Sequence, residues 1–73
     1  MPADDVVVEF EGSTARVYVG RWRYPVEVRH GVTPERLKEA LEAEGADYAE
    51  TEGGRLIATY DQLDRVRRAL SRA

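Results

Sequence analysis

The residues best suited to recognition chemistry stand together in one short stretch, Arg-Trp-Arg-Tyr at positions 21–24. Aromatic rings stack on bases or apolar side chains, and the arginine guanidinium pairs with phosphates and carboxylates. The stretch lies between Gly20 and Pro25, in a segment with the pattern of a turn. Turns favour Gly, Asn, Asp and Ser, so no local folding rule asks for a tryptophan here.

Three interpretations of this stretch are open. Interleaved basic and aromatic residues on a β surface can bind single-stranded nucleic acid, and the same residue types are enriched at hot spots of protein interfaces. Alternatively, Trp22 covers the edge of a thin core and stacks with an arginine. The flanking strands add similar residues, so the candidate binding set is Arg16, Tyr18, Arg21, Trp22, Arg23, Tyr24 and Arg29.

Patterns typical of catalysis are missing. His30, the single histidine, stands at the end of a predicted strand, where a structural role is the usual one. The chain has no cysteine, which excludes disulfides and thiolate chemistry. No spacing suggests a metal site, and no glycine-rich loop opens a helix to hold a phosphate. We therefore expect no enzymatic activity, no cofactor and no metal.

Residues 6–19 have the pattern of a β-hairpin. With Gly12 and Ser13 as a two-residue loop of type II′, Glu9 faces Arg16 across the two strands. One face of the pair then holds Val6, Val8, Phe10, Ala15, Val17 and Val19. The other face holds Val7, Glu9, Glu11, Arg16 and Tyr18. Both faces agree with one register, which makes this the most secure pairing in the sequence.

A third strand is predicted over residues 24–30, antiparallel beside the second. Its valines alternate with charged residues, as in a strand with one buried face. We expect Val26 and Val28 to face inward and Glu27 and Arg29 to face outward.

Residues 47–60 predict a second hairpin. Gly53 and Gly54 can both take the positive φ angles of a type I′ turn, which places Glu52 opposite Arg55. The expected inward face holds Ala49, Thr51, Leu56 and Ala58. The sequence leaves open whether this hairpin joins the sheet beside the first strand or the third.

Two amphipathic helices are predicted. The first has Thr33 as N-cap, Pro34 at its first position and Gly45 at its end. The second closes the chain, with Thr59 and Gln62 at the spacing of a capping box. Its expected buried stripe is Tyr60, Leu63, Val66 and Leu70.

The arginines of the second helix have ordinary structural explanations. Arg65 and Arg68 follow Asp61 and Asp64 by four residues, in the acid-first order that stabilises helices. Others stand near the C-terminus, where the helix dipole favours cations. This interpretation is preferred over a nucleic-acid role for the helix.

The predicted order is β-β-β-α-β-β-α, which belongs to the α+β class. Residues 1–73 are expected to form one small domain, a two-layer sandwich with both helices on one face of a mainly antiparallel five-stranded sheet. The other sheet face stays uncovered and shows Val7, Glu9, Arg16, Tyr18, Glu27, Arg29 and, with Leu56 inward, Ile57.

Composition narrows the class of protein. Charged residues make up 34% of the chain and hydrophobic residues 42%, a globular balance. The net charge of −3 argues against a protein that coats nucleic acid, although a local basic patch is compatible with it. No apolar run is long enough to span a membrane, and the N-terminus lacks a signal-peptide pattern, so we expect a cytoplasmic protein.

The leading hypothesis is a non-enzymatic binding module that acts through protein–protein contact, by the uncovered sheet face and the loop of residues 21–24. A homodimer is one form of it, and a small prokaryotic or phage-encoded adaptor, inhibitor or antitoxin fits the size. The first alternative is a nucleic-acid-binding module that uses the same arginines and aromatics. The second is a designed scaffold without biological function, which the clean helix caps suit.

Overall fold

The computed structural model describes residues 5–21 and 23–73, and the prediction for Trp22 lies outside them. Within these residues, five antiparallel strands form one sheet and two helices cover one of its faces. The elements are β1 (Asp5–Glu11), β2 (Thr14–Val19), β3 (Glu27–His30), α1 (Pro34–Ala43), β4 (Ala49–Glu50), β5 (Leu56–Thr59) and α2 (Leu63–Arg72). The predicted class and element order are confirmed.

The first hairpin has the register that the sequence predicts. Glu9 lies opposite Arg16, and Val8 lies opposite Val17. Gly12 has a φ of +62°, and no described residue other than glycine has a positive φ, which fits the predicted type II′ loop. The apolar face of this pair is buried and forms the floor of the core.

The second hairpin is shifted by one residue from its prediction. Glu50 pairs with Leu56, and Ala49 pairs with Ile57. Leu56 faces inward as predicted, with 1% of its surface exposed. Ala49 was predicted inward, and this was wrong: it lies on the same face as Ile57, away from the helices.

The shift arises in the loop, which holds three residues instead of two. The N–H of Thr51 donates to the carbonyl of Arg55 at 2.8 Å, and the carbonyl of Thr51 accepts from the N–H of Gly54 at 3.0 Å. Gly54 has a φ of +84°, whereas Gly53 is not in the positive region. A single left-handed residue at the end is the geometry of three-residue hairpin loops.

The two hairpins meet through β5 and β1, which settles the strand order. Val8 of β1 lies opposite Leu56 of β5, and the sheet runs β3-β2-β1-β5-β4. β1 is therefore the central strand, and β3 and β4 are the edges. Local pairing could not decide this, because both edges of the first hairpin offer free backbone groups.

Helix α1 begins and ends at the predicted residues. The Thr33 hydroxyl accepts a hydrogen bond from the N–H of Arg36 at 3.3 Å, which caps the first turn. At the other end Gly45 has a φ of +72°, and the N–H of Ala46 donates to the carbonyl of Leu41 at 3.0 Å. This is a Schellman motif, which satisfies carbonyls that the end of a helix leaves free.

One turn of 3-10 helix, Tyr60–Gln62, precedes α2. Because of this turn, the buried residues differ from the predicted stripe. Tyr60 was predicted in the buried stripe but is 52% exposed, whereas Gln62 is buried. The Gln62 side-chain carbonyl accepts from the N–H of Asp47 at 3.0 Å, so the buried amide has a partner. The predicted capping box is wrong as well, because Thr59 makes no side-chain capping bond.

The core lies between the sheet and the two helices. Its buried apolar residues are Val6, Val8, Ala15, Val17, Val19, Val32, Leu37, Leu41, Leu56, Val66, Ala69 and Leu70. Phe10 and Leu63 are partly buried against this cluster. Burying such side chains contributes about 1.5–3 kcal/mol each for the larger ones, so this single cluster is the main stabilising term of the fold.

Strand β3 faces opposite to its prediction. Glu27 lies opposite the buried Val17, so Glu27 and Arg29 are on the helix side of the sheet. Val28 is on the uncovered face and 42% exposed, and Val26, just before the strand, is 48% exposed. Alternation shows which residues share a face, but pairing with β2 decides which face that is.

Candidate functional site

The face of the sheet that the helices leave uncovered, here called the open face, carries a row of apolar residues. Ala49 of β4 lies opposite Ile57 of β5, Ile57 opposite Val7 of β1, and Val7 opposite Tyr18 of β2. We call these four residues the apolar row. Residues directly opposite have Cβ atoms about 4.5–5.5 Å apart, so the row is a continuous apolar strip across four strands.

The apolar row is accessible to a partner. Ala49 is exposed, and Val7, Ile57 and Tyr18 are half-buried by their neighbours on the sheet. Val28 on edge strand β3 adds a further exposed apolar side chain to the same face. Sequence reasoning missed Val28 and Ala49 because their facing depends on the pairing of edge strands, for which the sequence holds no local signal.

A charged row lies beside the apolar row on the open face. It consists of Arg55, Glu9 and Arg16, in which Glu9 is opposite Arg16 on the neighbouring strand. The Arg55 guanidinium lies 3.6 Å from the Glu9 carboxylate, and Arg16 pairs with Glu11 at 2.8 Å. The signs of the charges therefore alternate across the strands, and the face is not a basic patch.

The loop between β2 and β3 contains three described residues of the candidate binding set, Arg21, Arg23 and Tyr24. Gly20 has a φ of +61°, and its N–H donates to the carbonyl of Asp5 at 2.8 Å, which ties the start of the loop to β1. Arg21 and Arg23 are exposed, and Tyr24 is 74% exposed. Such a protruding arginine and tyrosine set can contact a protein or a nucleic acid.

Arg29, the last residue of the candidate set, does not belong to the open face. Its guanidinium donates to the Glu27 carboxylate at 3.0 Å and to the hydroxyl of Ser71 on α2 at 3.3 Å. Glu27 also accepts from Arg67 at 3.0 Å, and its side chain is only 15% exposed. Arg29 therefore closes the edge of the core between β3 and α2. Its predicted position on the uncovered sheet face was wrong because β3 faces the other way.

The arginines of α2 bind carboxylates of other elements. Arg68 and Arg72 both contact Glu44, at 3.1 and 2.6 Å, beyond the end of α1. These hydrogen bonds, Arg72 first and Arg68 second, hold the pKa of the Glu44 carboxyl below its ordinary value. Arg68 had been expected to pair with Asp64 on its own helix. In the structure Arg68 instead joins the two helices through Glu44, so α2 is less suited to bind a phosphate group.

The titratable groups with shifted pKa values have structural partners. Burial, and then the Glu42 carboxylate, raise the pKa of Tyr48, whose hydroxyl donates to Glu42 at 3.2 Å. The Glu50 carboxylate lies 3.0 Å from Lys38 Nζ and raises the pKa of this lysine through a hydrogen bond. Hydrogen bonds from Thr59 and Gln62 lower the pKa of Asp61.

His30 has a structural contact on the open face. Its Nδ1 lies 3.0 Å from the Thr14 hydroxyl, across the β2–β3 pair. In the ranges 5–21 and 23–73, no group of three or more histidines and acids is arranged to hold a metal ion.

One shallow depression adjoins the apolar row at the β4–β5 edge. It has a volume of about 390 Å³ and is lined by Asp5, Asp47, Tyr48, Ala49, Ile57, Ala58 and Thr59. Its apolar lining includes two members of the apolar row, and two carboxylates stand at its border. It can accept an apolar side chain of a partner, and it enlarges the contact surface beyond the row itself.

In the part of the chain that the structure describes, each helix is too short and too polar to cross a membrane. The chain matches no protein-family model, no curated protein and no solved structure.

Proposed function

We propose that this chain is a non-enzymatic binding module that acts through protein–protein contact. The contact uses the open face and the loop between β2 and β3. Its candidate residues are Val7, Arg16, Tyr18, Arg21, Trp22, Arg23, Tyr24, Val28, Ala49 and Ile57. The observation that carries the proposal is the apolar row, which crosses a sheet face that no element of the described chain covers.

An uncovered apolar strip is unusual for a chain of this size. A small domain has little apolar surface to spare, because most of it is needed for a single core. The chain here leaves Val7, Tyr18 and Ile57 outside that core. Contiguous apolar surface bordered by polar residues is typical of protein interaction sites.

The charges on the open face favour a protein over a nucleic acid. Asp5, Glu9 and Glu11 of β1 share this face, and the carboxylate of Glu11 engages Arg16. A phosphate backbone would meet these acids as well as the arginines. A protein surface of mixed charge can match both signs.

The loop supports nucleic acid as a second candidate function. Arg21, Arg23 and Tyr24 are exposed together, which suits stacking and phosphate contact. Anisotropy titrations with labelled single- and double-stranded oligonucleotides, at low and physiological salt, test this candidate. Salt-sensitive binding that is lost in Arg21→Ala/Arg23→Ala would support it. The absence of binding at low salt, where electrostatic attraction is strongest, would remove it.

The protein-contact proposal is tested by comparing variants on the two sides of the sheet. Val7→Lys places a charge in the centre of the apolar row, whereas Glu39→Arg changes an exposed residue of α1. Each variant and the original chain are immobilised, and bound proteins from an extract of the source cells are quantified. We expect Val7→Lys to lose a bound protein that Glu39→Arg retains. Equal capture by all three baits would contradict the use of the open face.

A further inference from the structure

We propose that the open face binds a second copy of this chain, with a two-fold axis that runs parallel to the strands between β1 and β2. This inference rests on the proposed function, because it names the partner of the same surface. It is carried by the arrangement of the apolar and charged rows about the line between these two strands.

Val7 and Tyr18, two residues of the apolar row, exchange places about this axis. A rotation by half a turn exchanges the positions of β1 and β2 and keeps each position along the strands. Val7 of one copy then lies against Tyr18 of the second copy, and Tyr18 lies against Val7. A valine and a tyrosine offer a smaller and a larger side chain, which is the pairing that lets two sheet faces interdigitate.

Glu9 and Arg16 of the charged row are complementary about the same axis. Glu9 and Arg16 are directly opposite on β1 and β2. The rotation therefore places Glu9 of each copy against Arg16 of the other, and two ion pairs form across the interface. An isologous contact requires this kind of match, since both copies present one surface.

A two-fold axis at right angles to the strands is disfavoured by charge. An axis perpendicular to the strands through Val7 would exchange the two directions along β1. Glu9 of one copy would then lie against Asp5 of the other, since both residues are two positions from Val7. Like charges opposed at an interface are destabilising.

The size of the open face sets the strength of the contact. The axis overlaps four strands of each copy and leaves β4 outside the contact. Four strands spaced by about 4.8 Å give a width of roughly 19 Å, and strand lengths of about 15–20 Å give roughly 290–380 Å² per copy. The total, about 580–760 Å², lies below what stable specific interfaces bury and in the range of weak contacts. The dimer is therefore weak and reversible, and its test must cover a wide range of concentration.

Sedimentation velocity on the full chain, from about 5 µM to about 500 µM, measures the association. The expected mass rises with concentration from that of one chain, 8.3 kDa, towards twice this value. Val7→Lys is expected to stay monomeric throughout the range. Glu39→Arg, on the opposite side of the molecule, is expected to dimerise as the original chain does.

Charge-reversed variants test the axis. Glu9→Arg and Arg16→Glu should each weaken the dimer at least tenfold in dissociation constant, because each homodimer opposes like charges twice. A mixture of equal amounts should recover a heterodimer, in which both cross-pairs again join opposite charges. Circular dichroism melts of the separate variants establish that each one folds, so a loss of association cannot be attributed to unfolding.

The outcomes separate this inference from the proposed function. A mass of one chain at every concentration overturns self-association, while capture of another protein that depends on Val7 keeps the proposed function. A dimer that Val7→Lys leaves intact overturns the use of the open face. Folded Glu9→Arg and Arg16→Glu variants that fail to associate on mixing overturn the two-fold arrangement.

Discussion

The two faces of the sheet use charge in different ways. On the helix side, Glu27 and Glu44 each bind two guanidinium groups and are themselves only 15% and 13% exposed. On the open face, Glu9 and Glu11 pair with arginines while their side chains stay 45% and 79% exposed. The helix-side pairs close the rim of the core, whereas the open-face pairs leave the apolar row uncovered.

This difference indicates which charges are structural. Glu27 and Glu44 connect elements that are distant in the sequence, β3 with α2 and the end of α1 with α2. Glu9 and Glu11 also bind arginines, but within the sheet, and their side chains are more exposed. Because Glu27 and Glu44 are largely buried, we expect their ion pairs to contribute more to the stability of the fold than those of Glu9 and Glu11.

The largest expected effect lies in the core on the helix side. Leu41→Ala removes a side chain with no exposed surface and should lower the free energy of unfolding by about 2–5 kcal/mol. Val28→Ala, on the open face, should lower it by less than about 1 kcal/mol. Urea unfolding at low protein concentration measures both. Equal losses would show that Val28 is buried in solution.

A smaller loss is expected from the Glu44 ion pairs, with a defined pH dependence. The pKa of Glu44 is lowered in the folded chain, so its charge stabilises the fold above the ordinary value of 4.5. This stabilisation disappears as the pH falls through the lowered pKa. Glu44→Gln should therefore melt below the original chain at neutral pH, and the two melting temperatures should converge in acid. A constant difference at all pH values would contradict the pairing.

The second hairpin offers a matched pair of glycines. Gly54→Ala should destabilise the fold by about 1 kcal/mol, since its φ of +84° strains any side chain. Gly53→Ala should be neutral or slightly stabilising, because its φ is ordinary and the nearest atom, the Thr51 hydroxyl, is 4.0 Å from the added Cβ. A two-residue type I′ loop would make both substitutions costly. Thermal unfolding distinguishes the two geometries.

The smallest effect on stability is expected in the loop between β2 and β3. Tyr24→Ala should change the free energy of unfolding by less than about 0.5 kcal/mol, because the side chain is 74% exposed. The same variant should weaken the protein contact proposed for this loop. Unfolding and capture assays on one preparation compare the two effects. A large loss of stability would assign Tyr24 to the core edge.

Sequence reasoning succeeded where neighbouring residues decide the structure. The Gly12 loop and the alternation around it were sufficient for the register of β1 with β2. The Thr33 cap and the Gly45 stop were sufficient for α1. Each of these features depends on hydrogen bonds within a few residues, so the local pattern contains the information.

It failed where a choice depends on distant contacts. Tyr60 is exposed and Gln62 is buried, because a 3-10 turn precedes α2 and the Gln62 amide accepts a hydrogen bond from the distant Asp47. Arg29 moved off the candidate surface because β2 and α2 determine the facing of β3. For this reason Arg29 leaves the candidate set. The other described members, five of the seven predicted site residues, stay candidates: Arg16, Tyr18, Arg21, Arg23 and Tyr24.

The sequence by itself determined the α+β class, the element order and the existence of an uncovered sheet face, because hydrophobic periodicity and caps are local properties. Only the tertiary structure decided that β5 pairs with β1 and that β3 turns its valines outward. These choices assemble the apolar row from four strands. A strand can pair along either edge and present either face, so long-range packing has to select one arrangement.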